Sequence, residues 1–285
     1  MPFQIYAWTA SISSGFVAVL QKLTSKYSIS NPWLMNFFFT LFILIFMIPL
    51  SLINHVGFPH TWNNIFWAAF FNELFWTLFL LSLYKLDVST ISPLFNLRSI
   101  FALFLGTIFL GEILGFQQFV LIALIIICGF FVTIDEKLKL TSFFKPSIGL
   151  IVVAMFALAL KGFFINKAAV NDGFWEISLW QSFFSLLVLV STIPLFIKDL
   201  AKTRAKQLIV LVGIASLQVI FELAATKAFS INLGISSLII SLPVSMIIAF
   251  LFSVFAPKLL EKHSIKVYLI RFVAAGLMVF ASLHL

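Results

Sequence analysis

Long apolar runs separated by short polar segments dominate the sequence. Each run is close to the roughly 20 apolar residues that an α-helix needs to cross a bilayer. Backbone groups inside a bilayer must be hydrogen-bonded within the protein, so we expect helices and not open strands. The pattern predicts ten membrane-spanning helices near residues 3–22, 32–54, 64–84, 89–110, 117–134, 147–168, 174–197, 208–229, 233–256 and 265–284.

The composition excludes a water-soluble domain. Of the 285 residues, 62% are hydrophobic and only 10% are charged, whereas soluble domains average about 25% charged residues. The net charge of +8 comes from short basic clusters between apolar runs, which is typical of membrane topology and not of a nucleic-acid-binding face. We therefore expect a multi-pass protein of the lipid bilayer, most simply the cytoplasmic (inner) membrane of a prokaryote.

A shift of 145 residues aligns the two halves of the chain without gaps across four predicted spans. The matched pairs are Lys22 with Lys167, Asn36 with Gln181, Pro49 with Pro194, Glu73 with Gln218, Tyr84 with Phe229 and Asp87 with Asn232. The register predicts two five-helix repeats, 1–140 and 141–285, which together form one transport domain. An odd number of spans makes the repeats cross the membrane in opposite senses, an arrangement that is common in secondary transporters.

The basic residues also predict an orientation. Loops after odd-numbered spans carry most of the lysines and arginines, whereas loops after even-numbered spans carry only Lys167 and Lys227. Because cytoplasmic loops are enriched in these residues, the count places the odd-numbered loops in the cytoplasm and both termini outside.

The segment Leu83–Gly129 resembles the EamA-like permeases of the drug/metabolite transporter (DMT) superfamily. It has a basic residue at the end of the third span, a fourth span, the pair Gly111-Glu112, and a fifth span that ends in glycine. The resemblance implies an all-α DMT fold of ten helices, a cavity lined by spans 1, 3, 4, 6, 8 and 9, and export without a cofactor. Many members have both termini in the cytoplasm, in conflict with the lysine count.

The chain departs from the family pattern at several places. Arg98 occupies the fourth span where the first half often has proline, and Asn36 replaces a basic residue that is often found in the second span. The second half keeps Pro243 in its ninth span but has Ala256-Pro257 in place of the glycine–glutamate pair. The resemblance therefore predicts the fold more specifically than the substrate.

Four charged residues near the middle of predicted spans are the main candidates for function. Charges inside a bilayer are costly and usually mark substrate or ion pathways. Glu73 and Arg98 come from the first half, and Lys161 and Glu222 come from the second. They either bind a substrate or a coupling proton in a central cavity, or form two internal ion pairs, Glu73–Arg98 and Lys161–Glu222.

Polar and aromatic residues within the spans extend the candidate site. These residues are Asn36, Trp76, Tyr84, Asn96, Gln181 and Gln218. The amides could instead join helices through hydrogen bonds, and the aromatic rings could lie in lipid-facing or interfacial belts. The halves also differ: Glu73 matches Gln218, while Glu222 stands one helical turn further along.

The sequence favours a transporter over an enzyme. The four histidines are scattered without metal-ligand spacing, and no phosphate loop or nucleophile elbow is present. We expect a secondary transporter that exports small polar metabolites such as amino acids by alternating access, coupled to protons if the carboxylates titrate. Two alternatives stay open: efflux of lipophilic or aromatic cations, and a non-transporting lipid scramblase or assembly subunit. Monomer and homodimer also stay open.

Overall fold

The computed structural model describes residues 2–84, 95–132, 146–242, 244, 247–248, 251 and 265–284, and this part of the chain is helical without a strand. Its main helices are α1 (Phe3–Tyr27), α2 (Pro32–Ile53), α3 (Trp62–Leu83), α4 (Phe95–Phe109), α5 (Phe116–Val132), α6 (Pro146–Ala168), α7 (Phe174–Val190), α8 (Ala205–Phe229), α9 (Leu233–Ile240) and α10 (Ile265–Leu283). A 3-10 turn (Ile193–Leu195) and a short helix (Ile197–Leu200) connect α7 to α8.

Each predicted span overlaps one of these helices. In the described part, five helices are long and apolar enough to cross a membrane by these criteria alone: Phe3–Tyr27, Pro32–Ile53, Trp62–Leu83, Gly149–Ala168 and Ala205–Phe229. The chain is thus an all-helical, multi-pass membrane protein. The ten-span inverted repeat stays a prediction, and the boundary at residues 140 and 141 lies outside the described residues.

Two matched prolines have different structural consequences. Pro49 lies inside α2, which continues to Ile53. Pro194 lies in the 3-10 turn, so α7 ends at Val190, several residues before the predicted end of that span at residue 197. Proline cannot donate a backbone hydrogen bond, which weakens a helix when the proline lies beyond the first turn. Tertiary contacts decide whether the helix continues through it.

The main helix contacts have a two-fold pattern. Helix α3 packs against α6 and α7, as α8 packs against α1 and α2, and α4 packs on α6 as α9 packs on α1. The pairs α2–α7, α4–α9 and α5–α10 each join equivalent helices of the two halves. Exchanging the halves therefore maps these contacts onto one another, in agreement with the 145-residue register.

The molecule carries polar groups inside and apolar groups outside. Large apolar side chains are exposed on many outer helix faces, among them Ile45, Phe104, Ile127 and Leu269. In contrast, the residues Lys161, Glu73, Arg98 and Glu222 are 0%, 1%, 2% and 5% exposed. An extensive apolar surface is stable only against another apolar phase, here the lipid tails.

Candidate functional site

An ion pair between α6 and α8 lies at the centre of the bundle. Lys161 Nζ donates to Glu222 Oε2 at 2.6 Å and to Asn72 Oδ1 on α3 at 2.8 Å. The predicted Lys161–Glu222 pair is therefore present. A buried ion pair is stable only where further hydrogen bonds satisfy the remaining polar atoms, and Asn72 supplies one of these bonds.

Glu73 is held by amides and not by a cation. Asn72 Nδ2 donates to Glu73 Oε1 at 2.9 Å, and Asn36 Nδ2 on α2 donates to Oε2 at 3.5 Å. The predicted ion pair between Glu73 and Arg98 is wrong, because among the described residues only Lys161 and Glu222 lie within 4.0 Å as an ion pair. The amide side chains of Asn72 on α3 and Asn36 on α2 take the place of the cation.

The second carboxylate has three donors on three helices. Besides Lys161, Glu222 accepts from Gln218 Nε2 at 2.8 Å through Oε1 and from Gln181 Nε2 at 3.4 Å through Oε2. Asn72 also donates to Ser185 Oγ on α7 at 3.3 Å. A continuous hydrogen-bonded chain, which we term the acid–base chain, thus runs from Glu73 through Asn72 and Lys161 to Glu222.

The amide contacts of the acid–base chain follow the two-fold pattern of the helix contacts. Asn36 Nδ2 contacts Thr77 Oγ1 at 3.2 Å, and Gln181 Nε2 contacts Glu222 Oε2 at 3.4 Å. The 145-residue shift relates these two contacts, since it matches Asn36 with Gln181 and Thr77 with Glu222. The amides are therefore symmetric, while the carboxylates stand one helical turn apart on equivalent helices.

A small void lies beside the two carboxylates. Its volume is about 10 Å³, and it is lined by Thr40, Ile43, Asn72, Glu73, Trp76, Gln181, Ser182, Ser185 and Glu222. This space is close to the minimum that one water molecule needs. A single water or proton carrier could therefore connect Glu73 with Glu222 without a change in backbone packing.

A larger cavity, which we term the Arg98 cavity, shares Trp76 with this void. Its volume is about 60 Å³. Its described walls come from α1, α3, α4, α6, α8 and α9, and include Phe75, Trp76, Phe79, Phe95, Leu158 and Phe221. The resemblance predicted a cavity between these six spans.

Three residues that line this cavity carry polar atoms without hydrogen-bond partners. Arg98 Nε and Nη2, both amide atoms of Gln21, and Gln218 Oε1 are buried and unpartnered. The Arg98 guanidinium lies 5.2 Å from the centre of the Phe229 ring, and Glu222 is its through-space electrostatic partner. Buried polar groups are normally satisfied, so three unsatisfied side chains around one cavity indicate a place where a ligand binds.

The remaining predicted site residues divide by position. Gln218 belongs to both features: its Nε2 donates to Glu222, and the residue also lines the Arg98 cavity, with its Oε1 unpartnered. Tyr84 is not among the described lining residues of either space, and its hydroxyl donates to the carbonyl of Ile29 between α1 and α2. The side chain of Asn96 lies outside the described residues.

Sequence reasoning missed Asn72, Gln21 and the position of Glu112. Asn72 is adjacent to Glu73, and Gln21 is adjacent to Lys22, so each was overlooked beside a charged neighbour. The Glu112 carboxylate accepts from the backbone N–H groups of Leu233 at 2.5 Å and Gly234 at 3.0 Å. The glycine–glutamate pair, which lies between α4 and α5 in the first half, thus contacts the start of α9 in the second half.

Comparisons with known proteins agree with this description. The family described as the EamA-like transporter family, which is part of the DMT superfamily, matches residues 1–134. This match confirms the resemblance seen in Leu83–Gly129 and indicates a membrane transporter. No curated protein matches the chain.

A solved crystal structure shares the fold over nearly the whole chain. It superposes with a TM-score of 0.65 at 13% sequence identity, and the match covers 96% of this chain and 96% of the other. Identity this low shows a common fold alone. The fold is therefore not confined to the residues that the family matches.

Proposed function

We propose that the protein is a secondary transporter that exports small polar metabolites, such as amino acids, by alternating access through the Arg98 cavity. The observation that carries the proposal is the burial of four ionisable side chains around two adjoining spaces in an apolar-surfaced helical bundle. Ionisable groups inside a membrane bundle commonly mark substrate and ion pathways. The proposal places the protein in the cytoplasmic (inner) membrane of a prokaryote.

The two spaces suggest a division of roles. The Arg98 cavity has the unsatisfied groups, so we assign substrate binding to it. The acid–base chain has carboxylates whose oxygens already accept hydrogen bonds, so we assign coupling to a proton there. Protonation of Glu222 would weaken its ion pair with Lys161 and loosen the contact between α6 and α8. Gln218 contacts both spaces and would transmit the change.

The small cavity favours a conformational mechanism. A volume of about 60 Å³ accommodates only about four to six water molecules, and sites for metabolites are usually about 300–1,000 Å³. Entry of a metabolite therefore requires the lining helices to separate. Two five-helix repeats, 1–140 and 141–285, that tilt about the symmetric α2–α7 and α4–α9 contacts would provide this movement.

Specific observations weigh against the two alternatives. Efflux of lipophilic cations predicts that Arg98 and Lys161 are both locked in ion pairs away from the cavity. Lys161 is paired, but Arg98 lines the cavity with two unpartnered nitrogens. A scramblase or assembly subunit predicts a core filled by bulky apolar side chains, whereas here a cavity with unsatisfied polar atoms lies between α1, α3 and α8.

The coupling role is tested with isosteric variants of the two carboxylates. Purified parent, Glu73→Gln and Glu222→Gln proteins are reconstituted in proteoliposomes, and counterflow of labelled amino and organic acids is followed over a range of pH. We expect each variant to flatten the pH dependence, because glutamine keeps the shape but cannot titrate. Glu176→Gln, which removes a carboxylate in the first turn of α7, is the matched control.

The outcome separates coupling from transport. Counterflow by both variants that equals the parent at every pH would exclude a coupling role for the acid–base chain. Absence of counterflow by the parent protein for every labelled compound would contradict the transport proposal itself.

A further inference from the structure

We infer that the Arg98 cavity selects organic monocarboxylates with an apolar body, in preference to cations and zwitterions. The inference rests on the proposed transport function and narrows its substrate class: it replaces zwitterionic amino acids with monocarboxylates that lack the amino group. It is carried by the unsatisfied edge of Arg98, by the absence of an available acid among the described lining residues, and by the aromatic walls.

The guanidinium of Arg98, a residue that lines the cavity, has one complete edge without a hydrogen-bond partner. Arg98 is 2% exposed, and its unpartnered nitrogens are Nε and Nη2. These two nitrogens form the same side of the planar group, so their N–H bonds run parallel and match the two oxygens of a carboxylate. Burying a cation without a partner is costly, and a bound carboxylate would remove that cost.

A cationic group on the substrate would find no counter-charge. Arg98 is the one ionisable side chain among the described residues that line this cavity. Both oxygens of Glu222 and both of Glu73 accept hydrogen bonds within the acid–base chain. Glu222 interacts with Arg98 through space but is paired with Lys161. A free ammonium would therefore lie near the guanidinium without an unpaired carboxylate of its own, which disfavours cations strongly and zwitterions to a smaller extent.

The aromatic walls of the Arg98 cavity favour an apolar skeleton for the rest of the substrate. Phe75, Trp76, Phe79, Phe95 and Phe221 surround the cavity, and burial of an apolar body against such rings is favourable. Aromatic faces also attract cations, but here the guanidinium already supplies the positive charge.

A neutral polar substituent is also accommodated near α1 and α8. The Gln21 amide offers both a donor and an acceptor, and Gln218 Oε1 offers an acceptor. The site thus fits a carboxylate whose neighbouring carbon carries hydrogen or hydroxyl, on an apolar or aromatic skeleton.

A charge series on one constant body tests the inference. The probes are 3-phenylpropionate (anion), phenylalanine (zwitterion) and phenethylamine (cation), which share a phenyl ring and a two-carbon chain. Binding to the purified full-length protein is measured by tryptophan fluorescence, and efflux is measured from proteoliposomes. We expect the anion to bind most tightly and to be exported fastest, and the cation to be bound and exported least.

Variants at position 98 link the preference to the guanidinium. A hydrogen bond to a charged group contributes about 1.5–3 kcal/mol, so Arg98→Gln should weaken binding of 3-phenylpropionate by about 10- to 100-fold. Arg98→Lys keeps the charge but loses the paired N–H groups, and should bind with intermediate affinity. Lys198→Gln, which removes an exposed cation outside the helices that line the cavity, should leave binding unchanged. Thermal unfolding of each variant establishes that it is folded.

The possible results separate this inference from the transport proposal. Preference for phenylalanine or phenethylamine, or equal anion binding by parent and Arg98→Gln, would overturn the monocarboxylate assignment and leave transport standing. Failure of the parent to bind or export any of the three probes would contradict both.

Discussion

At the scale of single residues, the two buried cations differ in their hydrogen-bond partners. The ammonium of Lys161 donates to a carboxylate oxygen at 2.6 Å and to an amide oxygen at 2.8 Å. Arg98 is equally buried but keeps two nitrogens without a hydrogen bond. The desolvation cost is similar for both side chains. The ion pair and hydrogen bond of Lys161 offset this cost within the protein, whereas the unpartnered nitrogens of Arg98 remain available for a ligand.

Removal of one member of the ion pair should destabilise the protein more than removal of both. Lys161→Met leaves Glu222 buried without its cation, and breaking a buried pair in this way costs about 3–5 kcal/mol. The double variant Lys161→Met with Glu222→Gln removes both charges, so its loss should be clearly smaller than the sum of the single losses. Unfolding in mixed detergent, followed by circular dichroism, measures the free energies. Additive losses would show that the two charges do not interact.

The residue scale is also where the sequence was least informative. The four buried charges were identified from the cost of placing them in apolar runs, and all four are buried. Their partners were not predictable, because Asn72 reaches Lys161 from a different helix and 89 positions earlier in the chain. Pairing opposite charges within each half gave the wrong partner for Glu73. Only tertiary contacts determine such pairings.

At the scale of the elements, a carboxylate from one half of the chain caps a helix of the other. Glu112 accepts from the first two backbone N–H groups of α9, and Asn232 accepts from Ile235 N. The first N–H groups of a helix lack partners within the helix, so both side chains stabilise the start of α9. The carboxylate fits closely, because a Cβ on Gly106 or Gly234 would lie 2.4 or 2.8 Å from Glu112 Oε2.

Adding a methyl group at Gly234 should therefore disturb the start of α9. In Gly234→Ala the new Cβ would also lie 3.0 Å from Leu103 Cδ2, and overpacking of this kind costs about 1–3 kcal/mol. Gly213→Ala is the matched control: this glycine is exposed within α8 and its added Cβ would meet nothing within 4 Å. The control should be neutral or stabilise the helix by up to about 1 kcal/mol. Thermal unfolding compares the two variants, and equal melting temperatures would contradict the close fit.

The elements were easier to predict than their ends. Apolar runs placed the start of α1, α2, α3, α5, α7 and α9 within a residue or two of the observed positions. The early end of α7 and the short helix after it were not predicted, because Pro194 has nearly the same local context (TIPL) as Pro49 (MIPL), which stays inside α2. Similar local signals thus gave different structures, which indicates that packing around each proline made the difference.

At the scale of the whole molecule, the two-fold pattern of helix contacts explains how similar halves produce an asymmetric site. The 145-residue register predicted that the two halves form the same helix contacts, and the contacts of α1 with α8 and α3 with α6 have that symmetry. Glu73 and Glu222, however, lie at positions that are not equivalent in the two halves. The proposed substrate site and the proposed proton site can therefore lie in two different spaces that share Trp76, although the helices that carry them are related.

The inverted repeat itself predicts which loops share a side of the membrane. Equivalent positions of the two halves must face opposite sides, as with Lys26 and Asn171, and with Gly57 and Lys202, which are all exposed. Single cysteines at these positions, in a background in which buried Cys128 is replaced by alanine, can be labelled with a membrane-impermeant maleimide in intact cells. The variants at 26 and 202 should react from one side and those at 57 and 171 from the other.

The lysine distribution further predicts that the variants at 26 and 202 are protected in intact cells and react only after the membrane is opened, because lysine-rich loops remain in the cytoplasm. The reverse result would keep the repeat but place both termini in the cytoplasm, as in many EamA-like permeases. Labelling of positions 26 and 171 from the same side would exclude an odd number of spans between them. The inverted repeat, and with it the alternating-access movement proposed here, would then be wrong.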